Sequence, residues 1–420
     1  MPSIFVALLV ALSFAHAAAA VAADAPLTLA EAQRLAIARS QALPAQDAAA
    51  ASARESAVAA GQWKDPVLRF GLDNYPVSGP DAGSFTKDSM TMARVGVMQE
   101  VTSEAKRRAR AARYEREADR ATAEKSSVQT TISRDVALAW IDRYYAEATV
   151  SLIGEQAAEA DLEIEGAELA YRTGRGGQPD VFAARASRAA LLEKASEARR
   201  KAVTATTMLA RWVGPQAQAP LGPPPDFASV PVDRASLEAE LVHHPRIVAL
   251  ARTEEAASAE AEVARVERDP DWSFEVYYQQ RGPGYGNMMS FGVNIPLPWD
   301  RANRQDREVA AKLALADQAR ALREEELRAH VAEVAAMLEE WSGNRERLAI
   351  YADSLTPLAR ERTAAALAAY RGGKGTLADV LAARRNELDV RRDALMLQRE
   401  TARLWAELNY LDTTRTKEWR

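Results

Sequence analysis

The sequence contains one fifteen-residue stretch twice, YRTGRGGQPDVFAAR at residues 171–185 and YRGGKGTLADVLAAR at residues 370–384. The two copies share the tyrosine and the arginine beside it, two glycines, an Asp-Val pair, an Ala-Ala pair and the closing arginine, all without a gap. Self-similarity of this kind indicates an internal duplication. We therefore expect a chain built from two similar halves.

Each copy predicts a sharp turn between two helices. Gly174 and Gly373 supply the backbone freedom that ends a helix, and Pro179 and Thr376 suit the first positions of the next helix. Before each turn, residues 103–172 and 300–371 show helical spacing of apolar and charged residues. A helix of about 70 residues would be about 105 Å long, and it needs coiled-coil partners.

The duplication divides the chain into five segments. They are a signal peptide (1–22), a first structural repeat (23–214), a Pro-rich connection (215–233), a second structural repeat (234–411) and a C-terminal tail (412–420). Each repeat is expected to hold a helix, a β-hairpin, a long helix and a second shorter helix. Two helices of about 35 residues equal one of about 70 in length, so two stacked short helices should run beside each long one.

The signal peptide is predicted from an apolar run at residues 4–14 and a small-residue cleavage site ending at Ala22. Because no lysine or arginine precedes the apolar run, a retained N-terminal anchor is the alternative.

Composition excludes several classes of function. The net charge is -5 with both signs mixed along the helices, so the sequence has no basic surface for nucleic acid. The chain has no cysteine, which excludes disulfides, thiolate metal sites, a cysteine nucleophile and a lipidated cysteine.

Four segments alternate apolar and polar residues as strands do, at residues 68–73, 93–98, 272–278 and 289–297. No apolar run after the signal approaches the length of a membrane-spanning helix, so the strands are the candidates for crossing a membrane. A small soluble sheet is the alternative. Four strands cannot close a barrel, whereas two chains would give a filled eight-stranded barrel and three a twelve-stranded one with a lumen.

Together these features resemble the TolC-type outer-membrane efflux proteins, the exit ducts of tripartite pumps in Gram-negative bacteria. The resemblance rests on the duplicated turn, on the hairpin after each Asp-Pro and on FGVNIPLPWDR at residues 291–301. It implies a mainly α chain with a membrane β part, in which a long coiled-coil α-helical tunnel is joined to four strands that complete a twelve-stranded trimeric β-barrel. The compact length and the 291–301 segment are most similar to the heavy-metal (cobalt-zinc-cadmium or copper-silver) branch.

In this family the equivalent turns form the periplasmic tip, where the tunnel narrows and the adaptor docks. The resemblance thus implies a gate at Asp180 and Asp379, whose carboxylates would favour cations. The alternative is that each aspartate only caps a helix. The implied docking residues are Tyr171, Arg172, Gly174, Arg175, Tyr370, Arg371, Gly373 and Lys374; the alternative for their charges is a solvated helix C-terminus. A second acid often follows three residues later in the family, but here Ala183 and Ala382 stand there, which argues against a doubled acidic gate.

No catalytic constellation emerges from the sequence, and no cofactor or metal site is predicted. His243 and His244 are neighbours, so their side chains should point in different directions, and His330 is isolated. We therefore expect a protein that is not an enzyme.

The sequence favours a passive exit duct in the outer membrane of a Gram-negative bacterium, extending into the periplasm and conducting heavy-metal cations. The implied partners are two further copies of the chain, a periplasmic adaptor (membrane fusion protein), an inner-membrane RND transporter and outer-membrane lipid. One alternative is a multidrug or secretion duct of the same fold. Another, from a different class, is a soluble periplasmic coiled-coil adaptor or scaffold.

Overall fold

The computed structural model describes residues 26–232 and 234–411. The predicted signal peptide (1–22) and C-terminal tail (412–420) lie outside this part, as does the last residue of the predicted Pro-rich connection.

The first half of the chain contains two short helices, a pair of strands, a long helix and a shorter one. They are α1 (Leu29–Arg39), α2 (Ala42–Ala60), β1 (Val67–Asp73), β2 (Met92–Val101), α3 (Glu104–Arg172) and α4 (Gln178–Val213). The second half repeats this order with α5 (Leu237–Leu241), α6 (Pro245–Glu267), β3 (Trp272–Arg281), β4 (Met288–Asn294), α7 (Gln305–Ile350), α8 (Thr356–Arg371) and α9 (Leu377–Asn409). Within the described residues, no helix is both long and apolar enough to span a membrane.

Two helices that the sequence predicts as continuous are each divided in two. The first breaks after α1 at Ser40, whose backbone is extended and whose hydroxyl accepts a hydrogen bond from the N–H of Ala42 at 3.2 Å. The second breaks before Pro245, which begins α6. Proline disfavours helical backbone in the residue before it but is tolerated in a first turn, so each new helix begins near its proline.

Two predicted boundaries are also corrected. β4 ends at Asn294 and not at residue 297, because Pro296 cannot donate a ladder hydrogen bond. The second long helix begins at Gln305 and not at residue 300. A π-helical turn at Tyr351–Leu355, just before Pro357, connects α7 to α8, so the predicted long helix is not regular throughout.

The chain packs as two compact units that cut across the two sequence repeats. Within the described part, the first unit contains residues 26–43, 127–244 and 328–411, and the second contains Pro44–Ser126 and Pro245–Leu327. Each repeat thus contributes to both units. The strands lie in the second unit and the duplicated turns in the first.

The four strands form one antiparallel sheet in the order β1-β2-β3-β4. The register places Phe70 opposite Val95, Val95 opposite Tyr278, and Tyr278 opposite Met289, so that large apolar side chains form a row across one face. This face is open, and Phe70 is 81% exposed. The opposite face is polar, as the alternation predicts.

On the polar face, glycines make room for large side chains of the neighbouring strand. Gly96 lies opposite Tyr277, and a Cβ at Gly96 would lie 2.4 Å from the Tyr277 ring. The ring is nearly buried, its hydroxyl donates to Glu275 at 2.9 Å, and Arg69 donates to the same hydroxyl at 3.3 Å. A glycine covered by an aromatic side chain of the neighbouring strand allows a sheet to bend, here toward its polar face.

In the first unit, the Pro-rich connection is bound to α3 and is not a loose linker. The buried guanidinium of Arg143 donates to the carbonyl oxygens of Ala217 at 2.5 Å and Ala219 at 2.9 Å. Trp140, one turn earlier, is fully buried and donates to the carbonyl oxygen of Leu27 at 2.9 Å. The bonds from Arg143 satisfy carbonyl groups of the connection, and the carbonyl oxygen of Leu27 accepts from both Trp140 and the N–H of Gly222, at 3.1 Å.

Ion pairs join the helices side by side. In the second unit, Lys125 of α3 pairs with Asp47 of α2 at 2.7 Å. In the first unit, Glu168 of α3 pairs with Arg185 of α4 at 2.7 Å. Two shorter helices therefore run beside α3, as the helix lengths predict.

Candidate functional site at the twin turns

The two duplicated turns, residues 173–177 and 372–376, lie side by side in the first unit. Beneath them is a cluster of buried apolar side chains from α3, α4 and α9, which we call the turn cluster: Ala167, Val181, Ala184, Leu377, Val380 and Leu381. Residues of both copies contribute to this one small core. The two copies of the duplicated stretch, residues 171–185 and 370–384, therefore lie next to each other in the folded chain.

Each turn depends on a glycine in the left-handed region of backbone conformation. Gly174 has φ 69° and Gly373 has φ 73°, values that residues with a Cβ rarely adopt. In the first turn the N–H of Arg175 donates to the carbonyl oxygen of Ala170 at 2.9 Å, and the equivalent bond in the second turn is also 2.9 Å long. These bonds satisfy the carbonyl groups at the ends of α3 and α8.

The two predicted gate aspartates both cap the helices that follow the turns. The Asp180 carboxylate accepts a hydrogen bond from the N–H of Gly177 at 2.9 Å. The Asp379 carboxylate accepts from the Thr376 hydroxyl at 2.6 Å and from the Thr376 N–H at 3.1 Å, while the N–H of Asp379 donates to that hydroxyl at 3.2 Å. The capping role of both residues is confirmed.

Capping favours the ionised form of Asp379. The hydrogen bond from the Thr376 hydroxyl, and then the one from its backbone, lower the pKa of Asp379. In both turns, every capping hydrogen bond that the aspartate carboxylate accepts ends on its Oδ2 atom. The capping arrangement therefore does not use Oδ1. A carboxylate that caps its helix can therefore still present negative charge to its surroundings.

The predicted docking residues form a mostly exposed basic surface around the turns. Exposed positions are Tyr171, Arg172, Gly174, Arg175, Arg371, Gly373 and Lys374. Tyr370 differs from its sequence equivalent, because it packs against the turn cluster with its hydroxyl buried, whereas Tyr171 is 51% exposed. The two turns are therefore alike in backbone but different in the surface that they present.

An ion-pair network just behind the turns was not anticipated from the sequence. Arg384, the closing arginine of the second copy, bonds to Glu163 of α3 at 2.9 Å and also contacts Glu159. Burial raises the pKa of Glu163, and the bond to Arg384 opposes that rise. The equivalent arginine in the first copy, Arg185, pairs with Glu168 on the protein surface. Only the second copy thus has a largely buried link between the two halves of the chain.

A groove with a volume of about 420 Å³ lies between the end of α3 and the α8–α9 turn. Arg175 and Arg371 border it, as do Glu163 and Arg384. The groove joins the exposed basic surface to the buried ion pair.

The histidines differ from expectation in one respect. His243 is exposed and His244 is buried, so the two neighbours do point in different directions. His330, however, is not isolated, because its ring centroid lies 4.8 Å from that of His244. The fold brings together two side chains that are far apart in sequence. Among residues 26–232 and 234–411, no group of three or more histidine, aspartate or glutamate side chains is placed to hold a metal ion.

Comparison with known proteins is consistent with this architecture. Residues 237–412 match the family model of outer membrane efflux proteins. A comparison with curated protein sequences gives no significant match.

Among solved structures, the chain is similar to the outer membrane protein VceC of Vibrio cholerae, with 21% identity, a TM-score of 0.75 and coverage of 91% of this chain and 95% of that one. The outer membrane channel CmeC of Campylobacter jejuni is 13% identical, with a TM-score of 0.76 and coverage of 93% and 88%. CusC is 16% identical, with a TM-score of 0.72 and coverage of 91% and 92%. The chain therefore has the fold of outer membrane channels, and its second half matches the outer membrane efflux protein family.

Proposed function

We propose that this protein is the outer-membrane exit channel of a tripartite efflux pump. The observation that carries the proposal is the four-stranded sheet, which has one apolar exposed face, one polar face and an open edge on each side, in a chain with the fold of outer membrane channels. A sheet with open edges is not stable in lipid, so it must pair with other strands.

The partner that best completes the sheet is the same chain. Three copies would supply twelve strands, enough to enclose an aqueous lumen, whereas eight strands leave an interior filled by side chains. In such a trimer the apolar face would contact lipid and the polar face would line the lumen. Gly96 under Tyr277 supports this orientation, since it favours bending toward the polar face.

The twin turns are the proposed periplasmic gate. Each chain would contribute the carboxylates of Asp180 and Asp379 to a ring at the narrow end of the tunnel, and a ring of this kind attracts cations and repels anions. Asp379 is exposed and Asp180 half-buried, which makes Asp379 the stronger candidate for a direct effect on passing ions.

The exposed basic surface of the turns is the proposed docking site for a periplasmic adaptor, which would connect the channel to an inner-membrane RND transporter. Tyr171 rather than Tyr370 would meet the adaptor, because only Tyr171 is exposed. Heavy-metal cations are the proposed cargo, supported by the similarity of the 291–301 segment to the heavy-metal branch. A multidrug or secretion duct would have the same architecture.

Two measurements test the proposal. Membrane fractionation should recover the protein with the outer membrane, and the purified protein should form cation-selective pores in planar lipid bilayers. Recovery in the osmotic-shock fluid, without pore activity, would instead support a soluble periplasmic scaffold. Growth of a deletion strain across a panel of metals and drugs then identifies the cargo, since loss of resistance to drugs alone would contradict the metal assignment.

A further inference from the structure

A small polar pocket lies between α3, α4 and α9 in the first unit, with an apolar cluster on each side of it. On one side is the turn cluster. On the other is a second cluster of buried apolar side chains: Leu152, Ile153, Ala195, Ala198 and Leu388. The pocket has a volume of about 50 Å³, and on each of the three helices its polar residues fall between the two clusters. Both halves of the chain therefore meet at one polar layer.

Gln156 of α3 brings an unused hydrogen-bond donor to this pocket. The residue is 4% exposed, and its side-chain nitrogen Nε2 is buried with no hydrogen-bond partner in the described part of the chain. A buried N–H group without a partner is costly, so folded proteins place an acceptor beside nearly all such groups. Gln156 therefore marks the pocket as a site for a hydrogen-bond acceptor.

The charged side chains of the pocket indicate the charge of that acceptor. Lys194, Arg384 and Arg385 contribute three cations to the lining, and Glu163 contributes a carboxylate. Glu163 already accepts a hydrogen bond from Arg384 at 2.9 Å. Lys194 lies 3.7 Å from the carboxylate of Asp389, whereas Arg385 forms no ion pair within residues 26–232 and 234–411. The excess of cations favours an acceptor that carries negative charge.

We propose that this pocket binds a small monovalent anion such as chloride. A chloride ion is close in size to a water molecule, whose share of liquid volume is about 30 Å³, so the pocket admits one such ion. Chloride accepts hydrogen bonds and donates none, which matches a lining of amide, ammonium and guanidinium donors. Water would also need acceptors for its own hydrogens, and the carboxylate of this pocket is bonded to Arg384.

The bound ion would link the helices that carry the twin turns, because its ligands come from α3, α4 and α9. Local opening of these helices separates the ligands and releases the ion. A ligand that binds only the closed form stabilises that form in proportion to its concentration. Chloride should therefore slow the local opening of this part of the first unit.

Native-state hydrogen exchange of the detergent-solubilised full-length protein tests the proposal. The amides of residues 384–391 are compared in sodium chloride and in sodium gluconate at equal ionic strength, since gluconate is too large for the pocket. We expect protection at least about threefold greater in about 200 mM chloride, which corresponds to a dissociation constant of about 100 mM or less. Sodium bromide should act as chloride does.

A pair of matched variants assigns the effect to the pocket. Gln156→Glu keeps the shape of the side chain and replaces the donor by a carboxylate, so the difference between chloride and gluconate should disappear. Gln129→Glu makes the same change on the same helix at a position outside the pocket, and it should keep the wild-type difference. Because each variant is compared with itself in two salts, a general loss of stability does not affect the result.

A second measurement needs no variant, in case the substitutions impair folding. Anomalous diffraction from wild-type crystals grown in sodium bromide should show a bromine peak at hydrogen-bond distance from Nε2 of Gln156. The proposal is overturned if this peak is absent, if protection is equal in chloride and gluconate, or if the two variants behave alike. A bromine peak without chloride-dependent protection would mean an adventitious ion only, and it would overturn the proposal as well. These outcomes concern the isolated protein and do not depend on whether it forms a channel.

Discussion

Replacing Arg384 by methionine removes the cation that stabilises a buried carboxylate behind the second turn. The side chain of Glu163 is 9% exposed, and Arg384 bonds to it at 2.9 Å. Methionine keeps much of the apolar stem of arginine and loses the charge together with the hydrogen-bond donors of the guanidinium. Glu163 must then either remain ionised without its partner or take up a proton.

Protonation of Glu163 sets the upper limit of the stability that the Arg384→Met variant can lose. Giving a proton to a carboxyl with an ordinary pKa of about 4.3 costs about 3.7 kcal/mol at pH 7 and about 1 kcal/mol at pH 5. Breaking a buried ion pair without such relief costs about 3–5 kcal/mol. We therefore expect Arg384→Met to reduce the local stability of the start of α9 by about 2–3.5 kcal/mol at pH 7 and by less than about 1 kcal/mol at pH 5.

The direction of this pH dependence follows from linkage. Burial raises the pKa of Glu163 in the folded protein, and loss of Arg384 raises it further. A carboxyl with a raised folded pKa binds its proton more tightly when folded, so its penalty is absent below the unfolded pKa and grows as pH rises toward the folded pKa. Acidification should therefore restore the stability of the variant relative to the wild type.

Native-state hydrogen exchange of the amides in residues 377–390, corrected for intrinsic exchange at each pH, measures this local stability. The duplication provides the control: Arg185→Met removes the equivalent arginine, whose pair with Glu168 is exposed at 57% and 39%, and should cost less than about 1 kcal/mol. Adding Glu163→Gln to Arg384→Met should recover most of the loss. An equal loss at pH 7 and pH 5, or a loss in Arg185→Met as large as that in Arg384→Met, would refute the reasoning.

Three further predictions concern other parts of the molecule. Asp379→Ala should raise the conductance or lower the cation selectivity of closed channels in planar bilayers, and unchanged currents would count against a gate at this residue. Trp140→Phe removes one of the two hydrogen bonds to the carbonyl oxygen of Leu27 and leaves the one from the N–H of Gly222, so it should reduce stability by about 0.5–1.5 kcal/mol, measured by denaturant unfolding; no change would mean that water replaces the indole. Gly96→Val would place a Cβ against both the carbonyl oxygen of Val276 and the Tyr277 ring, so the yield of the proposed trimer should fall sharply, whereas a normal yield would show that the strands can shift to make room.

Much of the local structure could be predicted because its causes lie within a few residues of each other. The turns follow from Gly174 and Gly373, and the cap at Asp379 follows from Thr376 three residues earlier. Alternation along the four strands predicts the apolar and polar faces of the sheet. The helix break at Ser40 was missed because the alanine-rich segment around it continues to favour a helix.

Local sequence patterns were enough to establish the duplication, the kinds of element, their order and the chemistry that a cysteine-free composition excludes. The contacts between distant side chains, Arg384 with Glu163 and His244 with His330, became visible only in the folded chain. The physical reason is that a local pattern sets which residues share a face of one helix, whereas contact between helices depends on their relative rotation and register. A rotation of one residue, about 100°, would carry Arg384 or His330 away from its partner and leave the local pattern unchanged.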